Sequence, residues 1–241
     1  MERSHLEEEA RALLRQIVER QAYRQLMAAN IRGHGLQFLP GLDAKVHFTR
    51  ELDLHLNVLR EVERIYQELG GGDLHQAVRE RMSRIPYPQS RLELAICLAL
   101  TLRAERVAAR VYMGCAHKGF GSVAATLAEM GHAMSRLEED LFVAYCAEER
   151  HGPQAQQFWD RWLTISLFSL GRPGSRGDTR AVALKLRTAY VSDVVGAFLK
   201  EADPLRKSCR LAWPDVVELG VELPPGLSTQ LSERVATRAL G

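Results

Sequence analysis

Two helical segments of this chain are apolar almost without interruption, and each carries a carboxylate. The first reads RLELAICLALTLRAERVAARVYMGC over residues 91–115. Helices of that kind belong inside a fold rather than on its surface. The helical neighbours of Glu105 are Leu98, Thr101, Leu102, Ala108, Ala109 and Tyr112, so its carboxylate points into a core. The second segment, SVAATLAEMGHAM, holds Glu129 and His132 as its only ionisable groups. A buried charge needs a counter-charge, a hydrogen-bonding partner or a metal. One Glu on a helix facing Glu-x-x-His on the next is half of the ligand set of a carboxylate-bridged di-metal centre in a four-helix bundle.

The rest of the chain reads as helix almost throughout. A first long helix covers about 7–38 and stops at Pro40-Gly41; a second covers 43–69 and stops at Gly70-Gly71-Gly72. A short helix near 73–83 precedes the break Ile85-Pro86-Tyr87-Pro88. The third core helix spans about 90–115 and the fourth about 122–150, closed by His151-Gly152-Pro153. An aromatic-rich fifth helix (Phe158, Trp159, Trp162, Phe168), a loop at 171–177, a helix over about 178–200 and a final short helix in the tail complete the chain. This pattern predicts an all-α fold: one domain over 1–241, with an antiparallel four-helix bundle in about 7–150 and additional C-terminal helices and tail in about 155–241.

Composition bounds the function classes. Hydrophobic residues make up 46% and charged residues 26%, the balance of an ordinary soluble globular protein. The 32 basic residues are nearly matched by 30 acidic ones, which argues against nucleic acid as a partner. No apolar stretch has membrane-spanning length without charges, and the acidic, amphipathic N-terminus is unlike a secretory signal, so no membrane partner and a cytoplasmic location are expected. The four cysteines, Cys97, Cys115, Cys146 and Cys209, lack C-x-x-C spacing, and three of them read as reduced core residues.

Helical phase identifies further inward polar groups. His55 shares a face with Phe48, Leu52, Val58, Leu59, Val62, Tyr66 and Leu69, and Glu51 lies one turn earlier on the same stripe. His34 sits with Tyr23, Met27, Ile31 and Phe38, with Asn30 one turn back. Three carboxylates and three imidazoles, Glu51, Glu105, Glu129, His34, His55 and His132, would suit one or two ions of iron, manganese or zinc. Each has an ordinary alternative: a core histidine bonded to a backbone carbonyl, a solvated Glu51, or an ion pair of Glu105 with Arg103, Arg106 or an arginine of a neighbouring helix. The main apolar stripe of the fourth helix (Val123, Leu127, Met130, Met134, Leu137, Leu141) lies on a different face from Glu129 and His132. Arginines 103, 106 and 110, and 172, 176 and 180, read as solvated cations or as contacts for a CoA-type phosphate.

In the same order along the chain, these residues resemble the ferritin-like subunits of the phenylacetyl-CoA monooxygenase (epoxidase) system. IPYPQS resembles the tyrosine-proline lead-in to that family's third helix. RAERVAARVYMG followed by VAATLAEMGH resembles its third-helix carboxylate and fourth-helix Glu-x-x-His. FWDRWLTISLFSLG resembles its fifth helix and WPDVVELGVELPPG the tail of its catalytic subunit. The resemblance covers nearly the whole chain and implies a ferritin-like bundle. The first half departs from it. Catalytic members carry a Glu on the first helix and Asp-Glu-x-x-His on the second. Here NIRGHG puts His34 at or near the first position, and RELDLHLN puts Leu52 three residues before His55, leaving Glu51 as the nearest inward carboxylate. Another register puts Leu54 and Asn57 at the ligand positions. The family's structural subunit is more similar here, in GHG and in the altered second helix.

The resemblance therefore implies one of two activities. The first is a mono- or dinuclear iron protein, with manganese as the other candidate, that activates dioxygen for a monooxygenase reaction on an aromatic or acyl-CoA substrate. Its metal ligands would be Glu105, Glu129, His132, His55, Glu51 and His34, and an external reductase would supply electrons. The second is a metal-free scaffold that forms homo- or hetero-oligomers with a homologous ferritin-like subunit.

Overall fold

The structure is a computed structural model, and it describes residues 2–39, 41–82, 86–146 and 152–214; the side chains of 2–6, 81, 131–141, 145 and 146 are outside that description. Among the described residues there is helix and no strand. Helix α1 runs Glu2–Gly35 and passes through a 3-10 turn, Leu36–Phe38, before α2, Leu42–Glu68. Next come α3, Leu74–Met82; α4, Arg91–Arg110; α5, Lys118–Cys146; α6, Gly152–Leu170; α7, Arg176–Ala183; and α8, Val191–Ser208.

Helix α4 is the axis of the packing. It is buried from Leu92 to Ala109 with the single exception of half-buried Thr101, as its apolar sequence requires. Its closest neighbours are α5 and α6, with α8 and α1 also against it, while α1 packs mainly on α2 and α3. Ser90 opens α4 by accepting the Glu93 N–H at 3.1 Å, and the Glu93 carboxylate returns to the Gln89 N–H at 2.8 Å. The α2 stop is the expected one: Gly70 takes a positive φ of 78°, and the Gly71 N–H reaches back to the Tyr66 carbonyl at 2.9 Å. No described helix is long and apolar enough to cross a membrane.

Three sequence expectations change. The fourth core helix starts earlier, at Lys118, because His117 Nδ1 accepts the Phe120 N–H at 3.2 Å and caps it. Gly152 and Pro153 open α6 rather than closing α5; a proline in the first turn lacks only an N–H that would have no helical partner. The single helix expected over about 178–200 is two, α7 and α8, separated by a turn at 184–190. Lys185 takes φ 55° there, and the turn docks on the α4–α5 connection through Ala116 N–H to Lys185 O and Thr188 N–H to Val111 O, both 2.9 Å. The final short helix expected in the tail lies outside the described residues, as does the side chain of Cys146. Cys97 and Cys115 are buried and Cys209 is half-buried, with none of the three in a disulfide among the described residues.

Candidate functional site

Helix α1 presents a heptad-spaced face, Leu14, Val18, Gln21, Gln25, Ala28 and Arg32, and every one of these residues is buried. Opposite it α2 offers Phe48, Glu51, His55 and Val62, and α4 offers Glu105. The lower half of the α1 face is apolar and belongs to the core. The upper half is polar, and three helices meet there.

Gln25 joins the groups. Its Nε2 donates to Glu105 Oε1 in a short contact, and its Oε1 accepts from His55 Nδ1 at 2.7 Å. Gln21 Nε2 also donates to Glu105 Oε1, at 3.4 Å, and Gln21 Oε1 accepts from Arg24 at 3.4 Å. Since a Gln oxygen only accepts, His55 carries its proton on Nδ1, and Nε2 keeps a lone pair. That Nε2 is buried and has no hydrogen-bond partner among the described residues.

The Arg32 guanidinium supplies the positive charge. Its Nε lies 3.3 Å from Glu51 Oε2, with both side chains almost wholly buried. The other oxygen, Glu51 Oε1, has His47 Nε2 at 2.8 Å but no partner in hydrogen-bond alignment among the described residues. Burial, and then the Arg32 charge, hold the His55 imidazole well below its ordinary range, so it is neutral. Burial pushes the Glu105 carboxyl up, against the opposing pull of Arg32, the Gln25 hydrogen bond, Arg24 and Gln21. Arg24 is lowered by burial, which outweighs the pull of Tyr112 and Glu105. It donates to the Ser169 carbonyl on α6 in a short contact. Arg24, Met27, Arg32, Thr101, Glu105 and Ser169 line a small recess beside the network.

Of the six residues expected as ligands, the structure links Glu51, His55 and Glu105, through Arg32 and Gln25. His34 is half-buried at the far end of α1, where Nε2 donates to the Pro88 carbonyl at 3.0 Å and the ring packs on Tyr87 with centroids 5.0 Å apart. It anchors the segment leading into α4. Asn30 is exposed. Glu129 is exposed as well, while Val123 and Leu127 are buried on the face the apolar stripe marks. The His132 side chain lies outside the described residues.

Among the described residues this arrangement does not fit a metal centre. Among the described residues no three His, Cys, Asp or Glu side chains stand close enough to share an ion. Glu105 is engaged by two amides, and a guanidinium already balances Glu51. Nor does Glu105 pair with Arg103 or Arg106: the former bonds the Ala99 carbonyl at 2.7 Å, the latter Glu201. Arg110 also binds Glu201 and Arg180 binds Glu9, whereas Arg172 and Arg176 are exposed.

The residues that sequence reasoning missed are Gln21, Gln25, Arg24 and Arg32. The heptad spacing from Leu14 and Val18 through Gln21 and Gln25 to Arg32 was the signal that could have found them. Two further buried carboxylates were missed. Glu93 accepts from Arg161 at 3.0 Å and from Trp162 Nε1 at 3.1 Å. Asp178 binds Arg187 and the amides of Gly174 and Val191, both at 3.0 Å. Compared with known proteins, the chain matches no protein-family model and no curated protein sequence.

Proposed function

We propose that this chain is a non-catalytic scaffold subunit of ferritin-like type. In this reading α1, α2, α4 and α5 form the four-helix bundle, α6–α8 brace its side, and the long helices pair with a homologous ferritin-like subunit or with a second copy. The observation that carries the reading is Arg32. A buried guanidinium beside Glu51, with its charge felt at His55 and Glu105, does the neutralising that a metal ion does in a carboxylate-rich bundle. The amides of Gln21 and Gln25 take up Glu105, so the polar interior is satisfied mainly by the chain's own groups.

One observation favours the second reading, an oxygen-activating iron or manganese monooxygenase subunit. Among the described residues His55 Nε2 and Glu51 Oε1 are buried acceptors without an aligned donor, and both atom types ligate metals.

The test is elemental analysis of protein from cells supplemented with iron and manganese, combined with its mass in solution by light scattering. The scaffold reading expects no stoichiometric metal and a mass above that of one chain, either alone or mixed with a ferritin-like homologue. Stoichiometric iron or manganese that disappears in His55→Ala would overturn it and make oxygen activation the next assay.

A further inference from the structure

We infer that the outer face of α2 is a dimer contact, on which α2 of a second copy of this chain lies antiparallel about a two-fold axis level with Glu51. The inference rests on the scaffold reading and commits it to one partner and one face.

The face comes first. Among the described residues eight large apolar side chains are exposed, and Leu42, Val46, Leu54 and Leu56 of α2 are half of them. Clustered apolar exposure of this kind marks a contact surface. Leu42, Val46, Thr49, Asp53, Leu56 and Arg60 follow one another at alternating steps of four and three residues, the spacing of a helix–helix seam. All six are exposed, while the other side of α2, through Phe48, Glu51, His55 and Val62, is buried.

Charge chooses the occupant. Across a two-fold axis a residue i that meets residue j of the partner is itself met by i of the partner at j. With the axis level with Glu51, Val46 packs on the partner's Leu56, Thr49 meets the partner's Asp53, and Leu42 lies along the stem of the partner's Arg60. On one flank of the seam the same register sets Arg50 beside the partner's Asp53 and Asp43 beside the partner's Arg60. The members of each pair differ in level by one residue, a rise of about 1.5 Å. Each pair occurs twice, so four opposite-charge contacts cross the axis, and the two arginines nearest it alternate with two aspartates. A parallel pair would instead set Asp53 against Asp53 and Arg60 against Arg60. The charged groups are available for this. Among the described residues Asp43 and Arg50 are exposed and bond no other side chain. Asp53 uses Oδ2 for the Asn57 amide at 3.2 Å, and Arg60 uses Nη1 for Asn57 Oδ1 at 3.1 Å, which leaves Oδ1 and the rest of the guanidinium facing outward.

The test is light scattering over a concentration series on the full chain as wild type, Leu56→Asp, Arg50→Glu, Asp53→Arg and Arg50→Glu/Asp53→Arg. Circular dichroism on each confirms the fold, which these exposed positions leave intact. Wild type is expected to reach the mass of two chains, and Leu56→Asp to stay at one. Arg50→Glu and Asp53→Arg should each weaken the dimer by about tenfold or more, because each sets like charges across the axis. The double variant should recover it. An equimolar mixture of the two single variants should pair as well, since every contact between them joins opposite charges; only the antiparallel register gives that result. Wild type at one chain throughout, yet gaining mass with a ferritin-like homologue, would overturn the inference and leave the scaffold reading standing. A dimer indifferent to Leu56→Asp and to both single charge changes would do the same. Stoichiometric iron or manganese lost in His55→Ala would defeat the scaffold reading on which the inference rests, whatever the mass.

Discussion

Arg32 on α1 and Glu51 on α2 form an ion pair with Nε 3.3 Å from Oε2 and side chains only 1% and 3% exposed. Taking two charges out of water costs about as much as their attraction returns, so the intact pair adds little net stability over an apolar pair. Losing one partner is different, because it takes from the other the counter-charge that this pair supplies. Glu51→Leu is expected to destabilise the chain by about 3–5 kcal/mol, and Arg32→Met/Glu51→Leu by much less than the sum of the two single changes, Arg32→Met and Glu51→Leu. Urea denaturation of the four members of the cycle measures this. Additive losses would show that the two side chains do not act as a pair.

Gln25 is the only described side chain bonded to both His55 and Glu105. Gln25→Leu keeps the bulk but leaves two buried polar groups short of a partner. It should cost about 2–4 kcal/mol, from about 1–3 kcal/mol for each stranded group less what relaxation recovers. Gln21→Leu removes a weaker contact, 3.4 Å to the same carboxylate, and Glu105 keeps Gln25. Its loss should be clearly smaller. Equal losses in the two variants would refute the bridging role of Gln25.

The network also gives stability a pH dependence of known sign. The Glu105 carboxyl is raised above its ordinary 4.5, so its contribution is full below that value and is lost as pH rises through the folded pKa. His55 is held well below its ordinary 6.5, so its contribution is full above that value and is lost as pH falls. Glu105→Gln should therefore flatten the decline of stability above pH 4.5, and His55→Asn the decline below pH 6.5. Denaturation midpoints across pH 4–8 read both. A steeper acid limb in His55→Asn would contradict a neutral buried imidazole.

The sequence announced some of this and hid the rest for physical reasons. Glu51, His55 and Glu105 lie among apolar residues at helical spacing, so their burial was readable. Arg32 and Gln25 sit in a stretch of α1 that mixes Ala, Asn, Gly and charged residues with Leu26, Met27 and Ile31, so no clean apolar stripe surrounds them; the heptad phase from Leu14 and Val18 marks them. Glu129 was placed by its spacing to His132, and the competing stripe through Val123 and Leu127 is the face that is buried. The α7–α8 break carries neither Gly nor Pro between Leu184 and Tyr190. Contacts distant in sequence hold it, with Val111, Ala116 and Asp178, and local pattern does not encode these.

Asp178 supplies the last test. Its Oδ1 accepts the Val191 N–H at 3.0 Å and binds Arg187, and its Oδ2 accepts the Gly174 N–H at 3.0 Å. Its own N–H is taken by Ser175 Oγ at 3.2 Å. One buried carboxylate thus starts α7, holds the loop before it and fixes the first residue of α8. Asp178→Ala leaves two amides without their acceptor and the buried Arg187 guanidinium without its counter-charge, with only the residue 178 carbonyl still at 3.1 Å, a loss of about 3–5 kcal/mol. The damage should be local, since α1 and α2 make no contact with this carboxylate among the bonds that hold it. Hydrogen exchange is expected to speed up at Gly174, through the 184–190 turn and in the first turn of α8, while amides around Gln25 and His55 keep their protection. Asp178→Asn keeps one acceptor oxygen and should fall between the two. Uniform loss of protection along the whole chain would instead make Asp178 part of the global core rather than the clasp of the C-terminal helices.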